Sequence, residues 1–111
     1  MCSFFPECIT TLPQAEIPLQ GVNVYISQAP HHQIVFMEFH ENVKIPKHSH
    51  STQWETVLNG SVDVWIYDKK HTYQKGDQFY IPSGVFHHAL VPKGYAAMAF
   101  FDEPQRYKIK Q

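Results

Sequence analysis

Eight consecutive residues, His48-Ser-His-Ser-Thr-Gln-Trp-Glu55, bring two imidazoles, an amide and a carboxylate together. Imidazole nitrogens and side-chain oxygens are donors that divalent transition metals accept, and side chains two apart on an extended strand share a face. His48 and His50 can therefore offer their rings to one ion. Gln53 and Glu55 are both placed to add an oxygen, and the stretch alone leaves that choice open. The choice sets charge. A carboxylate removes one unit from the ion's charge, whereas an amide leaves it whole, making a stronger Lewis acid that draws an anionic, chelating substrate.

The elements that must position these residues read as strands. Turn signals recur every several residues between short alternating segments, and no stretch sustains a helical period. Val22 to Ile26 reads as one strand and Gln33 to His40 as the next; Val43 to His50 is extended through Pro46, and Gln53 to Leu58 begins another. In Gln33 to His40, alternation puts Ile34, Phe36, Glu38 and His40 on one face, which makes Glu38 and His40 candidates for the pocket or its rim. Asn59-Gly60 is the sharpest turn signal, because a two-residue type I′ turn needs positive φ at both positions. A hairpin closing there pairs Val57 with Val62, Glu55 with Val64 and Gln53 with Ile66 on one face, and Trp54 with Trp65 on the other. The aliphatic face is the inner one. Gln53 and Glu55 then project inward, where a polar pair is costly unless satisfied.

Composition limits the partners. The 111 residues allow one domain, and 43% hydrophobic residues with eight Phe and six Tyr supply a core. Net charge is -1 and basic residues cluster no further than Lys69-Lys70, which argues against nucleic acid and against a membrane surface and leaves a small molecule as the expected ligand. The opening MCSFFPECI lacks a basic start and is broken by Pro6 and Glu7, a poor signal peptide, so a cytoplasmic location is expected. Cys2 and Cys8 read there as plain thiols. Residues 1–21 are expected to form a leader that packs on or swaps with a domain at 22–111. The outward Trp54 and Trp65 predict a two-fold homodimer, the alternative being that Phe4 and Phe5 or Tyr107 cover them.

Gly76-Asp-Gln-Phe-Tyr-Ile-Pro-Ser-Gly-Val-Phe-His87 adds a resemblance. A Gly, five residues, Pro-x-Gly, two residues and a His resembles the second signature of the cupin superfamily, and His48-x-His50 resembles the first, with Asn42 in place of its leading Gly and Val91 where the second signature has Asn. Over roughly residues 22 to 109 the chain is similar to the small single-domain bacterial cupins. The resemblance implies an all-β fold, the double-stranded β-helix or jelly-roll barrel, holding one divalent transition metal such as Zn, Mn, Fe or Ni. His48, His50 and His87 are the implied ligands. Counting back from Gly60 in the first signature lands on Gln53 as the fourth, which leaves Glu55 as the catalytic candidate: a general base, a partner of the ligands or an alternative ligand. His31, His32 and His71 lie at expected turns, and His88, opposite in parity to His87, should point outward. The ligand pattern is similar to cupins that open unsaturated uronates, which implies a lyase or isomerase acting on a small oxygen-rich anion. A metal-dependent dioxygenase and a non-catalytic binding or sensor module are the alternatives.

Overall fold

Two antiparallel sheets face each other in the computed structural model, which describes residues 3–111. The larger has five strands in the order β2 (Val22–Gln28), β3 (Gln33–Phe39), β10 (Ala96–Phe101), β5 (Gln53–Asn59) and β8 (Gln78–Ile81). The smaller has four, β4 (Val43–His48), β9 (His87–Val91), β6 (Ser61–Ile66) and β7 (Lys69–Gln74). A separate two-stranded ribbon joins β1 (Ala15–Glu16) to β11 (Lys108–Ile109), and the one helix among the described residues is α1 (Glu7–Thr10). This is the all-β jelly-roll architecture. The period-two alternation fills the space between the sheets: Val35, Met37 and Phe39 of β3, Val57 of β5, Val62 and Val64 of β6 and Phe101 of β10 are all buried. Burying one such large side chain contributes about 1.5–3 kcal/mol.

Asn59-Gly60 does not close a hairpin. Strand β5 pairs with β10 and β8, while β6 pairs with β7 and β9, so the chain crosses from one sheet to the other at this point. Only Gly60 has positive φ there, +75°, and a Cβ on it would lie 3.3 Å from the Gly94 carbonyl oxygen, so the close approach of two backbones demands glycine. The two-residue hairpin with positive φ at both positions is instead Tyr67-Asp68, φ 53° and 60°, between Ile66 and its partner Lys69. The inward parity of Gln53, Glu55, Val62, Val64 and Ile66 nevertheless stands, because all five are buried.

Trp54 and Trp65 are consequently on different sheets. Trp54 pairs across strands with Tyr80 and Phe100, whereas Trp65 stacks on His88 at 4.8 Å with Lys70 over its ring. Among the described residues, the opening segment does not cover either of them. Phe5 packs instead on Tyr25, Phe36 and Ala96 on the outside of the five-stranded sheet, with Ile9 and Leu12 beside it. Glu38, fully buried on that same outer face, accepts hydrogen bonds from Ser3 Oγ at 2.6 Å, the Phe4 amide at 2.8 Å and Tyr25 Oη at 2.9 Å. Glu38 therefore ties the opening segment to the sheet and does not line the pocket; His40, 3.6 Å from it and near Asn23, is on this outer side too. Cys8 is a free, exposed thiol, and Cys2 lies outside the described residues.

Candidate metal centre

His48, His50 and His87 converge between the sheets, one ring nitrogen of each lying within 4.8 Å of the others. The sequence device that aims His48 inward is a bulge at Pro46-Lys47. Ile45 pairs with Ala89 and His48 with His87, so three steps along β4 match two along β9. Without the extra residue His48 would take the outward parity of Lys44. Proline has no N–H for the ladder, which is why the irregularity falls at Pro46. His87 opens β9 directly across from His48 and Ile66. His50 lies just beyond β4, where its carbonyl accepts the Gly84 N–H at 2.9 Å, and this bond ties it to the Pro82-Ser-Gly84 turn.

Each ring is anchored through Nδ1 to a backbone carbonyl: His48 to Pro46 at 2.8 Å, His50 to Ser51 at 2.7 Å and His87 to Val85 at 2.9 Å. A carbonyl oxygen only accepts, so Nδ1 carries the proton and Nε2 keeps its lone pair free. Burial pushes all three imidazoles below their ordinary pKa, His50 to about 4, with the Arg106 charge adding to the effect. Three neutral rings with free, converging Nε2 atoms fit a divalent transition metal.

Gln53 and Glu55 both line the same cavity, of about 370 Å³. Gln53 Nε2 donates to Glu55 Oε1 at 2.6 Å, and Tyr95 Oη donates to Glu55 Oε2. Burial raises the Glu55 carboxyl to about 7, although the Tyr95 and Gln53 bonds pull it down, and burial also raises the Tyr95 phenol. The Glu55 oxygens do not join the three-histidine cluster. His88 points outward onto Trp65, His71 stacks on Tyr73, and His32 stacks on Phe100, all away from this cluster; His31 is exposed. Tyr95 and Arg106 are cavity residues that the sequence did not single out. Both precede or follow short turns, and no spacing rule links them to the histidines.

A family profile described as "Cupin domain" matches residues 35–101. The chain belongs to the cupin family. Comparison with curated proteins finds no match. Among solved structures, KdgF from Halomonas sp. is 22% identical with a TM-score of 0.74, over 94% of this chain and 96% of that one. An RmlC-like cupin from Shewanella frigidimarina is 23% identical, TM-score 0.72, over 85% and 86%. A variant of oxalate decarboxylase from Bacillus subtilis is 19% identical with a TM-score of 0.73, over 86% of this chain and 28% of that one. These likenesses are of fold. No helix among the described residues is long and apolar enough to cross a membrane.

Proposed function

We propose that the chain is a metal-dependent cupin enzyme of lyase or isomerase type acting on a small oxygen-rich anion, such as an unsaturated or keto sugar acid. The observation that carries this is the triad of Nδ1-anchored imidazoles converging beside a buried carboxylate in one cavity. His48, His50 and His87 hold the ion, and Gln53 is its fourth ligand. Two features support Gln53: Glu55 engages its amide nitrogen and leaves its carbonyl oxygen free, while both Glu55 oxygens are already hydrogen-bonded. The bound metal supplies a Lewis acid for a substrate oxygen.

Glu55 is the general base. Each of its oxygens keeps a second lone pair after accepting from Gln53 and Tyr95, and Tyr95 fixes the carboxylate's orientation. Apolar walls from Met37, Phe39, Val62 and Phe79 line the cavity around the buried Glu55. One structural neighbour is a decarboxylase of a carboxylic acid by name, which agrees with an anionic substrate. Turnover of unsaturated and keto sugar acids by metal-loaded protein, with and without oxygen, tests the reading; activity that requires oxygen would make it a dioxygenase instead.

The homodimer belongs to the outer face of the five-stranded sheet. Trp54 is 40% exposed and its cross-strand neighbour Tyr80 56%, so an outward aromatic pair exists, with Tyr80 rather than Trp65 as its second member.

A further inference from the structure

Among the described residues, Arg106 has no counter-ion. It follows β10 in the stretch leading to the ribbon, lines the cavity, and lays its guanidinium over Phe101 at 5.3 Å and Tyr107 at 4.4 Å. Its Nε is the one buried side-chain nitrogen or oxygen among the described residues that has no hydrogen-bond partner. None of the four ion pairs among those residues includes it. Glu103 accepts from Ser51 at 2.7 Å, Glu16 pairs with Lys108 at 3.7 Å, and the exposed Asp102 forms no ion pair with Arg106. Arg106 lines the same cavity as His48, His50 and His87.

Aromatic faces hold a guanidinium in place but do not satisfy its N–H donors, and a half-buried cation with open donors carries a desolvation cost that an anion would offset. The planar fork of donors matches a carboxylate in two parallel bonds. We propose that Arg106 recognises the substrate's carboxylate, so that the site takes a small hydroxy- or keto-acid with its carboxylate on Arg106 and its remaining oxygens toward the three histidines. This deepens the function proposed above and names the group that selects acids over neutral sugars and amides. It makes Arg106 a specificity-determining residue.

The test titrates three acids, galacturonate, pyruvate and glycolate, each beside its neutral counterpart, galactose, pyruvamide and glycolamide, into metal-loaded wild type, Arg106→Gln and Arg106→Lys by calorimetry. Metal content and circular dichroism are recorded for each protein. Wild type should prefer at least one acid by roughly tenfold or more, Arg106→Gln should lose that preference with metal content unchanged, and Arg106→Lys should restore part of it. Metal-free His87→Ala protein should keep a weaker preference for the acid, because Arg106 remains. A wild type without acid preference, or one whose preference survives Arg106→Gln, overturns the assignment. Acid preference that depends on Arg106 in a protein that binds no metal would sustain it and remove the metal-dependent reading instead.

Discussion

Two neighbouring side chains compete for one role, and the hydrogen bonds between them support the proposed choice of Gln53. Gln53 turns its amide nitrogen to Glu55, which leaves its oxygen as a neutral donor, and Glu55 is held by Gln53 and Tyr95 away from the histidine cluster. Gln53→Ala should therefore weaken metal binding by about tenfold or more, whereas Glu55→Ala should retain the metal and lose turnover. Competition against a chelator and steady-state kinetics on the two variants measure this, and the reverse pattern would make Glu55 the ligand. Part of this site was legible in the residues alone. His48 and His50 stand two apart as a shared strand face requires, His87 follows from the resemblance of its stretch to the second cupin signature, and the inward parity of Gln53 and Glu55 follows from period-two alternation. Arg106 and Tyr95 were not legible, because they reach the cavity through tertiary placement that no local pattern encodes.

Between residue and fold, turns and outer faces decide what local pattern leaves open. Parity along β5 is local and was read correctly, but a strand's partners are tertiary, and the Asn59-Gly60 turn joins two sheets rather than two neighbours. The true hairpin turn, Tyr67-Asp68, begins with a bulky Tyr that positive φ disfavours and lacks the Gly that marks such turns, so it carries no local signal. Replacing Tyr67→Asn together with Asp68→Gly should stabilise the protein by about 0.5–2 kcal/mol, measured as a higher midpoint of denaturant unfolding. The exposed Lys47–Asp68 pair lost in the process, 3.7 Å apart, contributes little.

Glu38 gives the opening segment a pH dependence. Burial pushes its carboxyl up, but the bonds from Ser3, the Phe4 amide and Tyr25, with the His40 charge beside it, outweigh this and hold it below its ordinary value of 4.5. The attachment is thus present in full above that value and is lost as pH falls through the lowered one. Protection of the Phe4 amide, taken as hydrogen exchange relative to its intrinsic rate at each pH, should fall in wild type between neutral pH and pH below the ordinary 4.5, and should be already low in Glu38→Ala at neutral pH, since removing the acceptor costs about 1–3 kcal/mol. Equal protection of wild type at both pH values would contradict this account.

At the scale of the whole molecule, two sheets closed over an apolar core leave a cavity in which the site residues meet, and put Trp54 and Tyr80 side by side on an outer face. Sedimentation at micromolar concentration should show twice the chain mass, with Trp54→Glu giving the monomer and Trp65→Glu leaving the dimer intact, because Trp65 is already stacked on His88. A wild-type monomer would remove the dimer. Elemental analysis of untagged protein beside His87→Ala asks whether the molecule holds one metal ion. One transition-metal equivalent per chain is expected in wild type and a near-complete loss in the variant, with the β-sheet circular dichroism of both alike. Wild type without metal after reconstitution, or a variant that keeps the full equivalent, would contradict it.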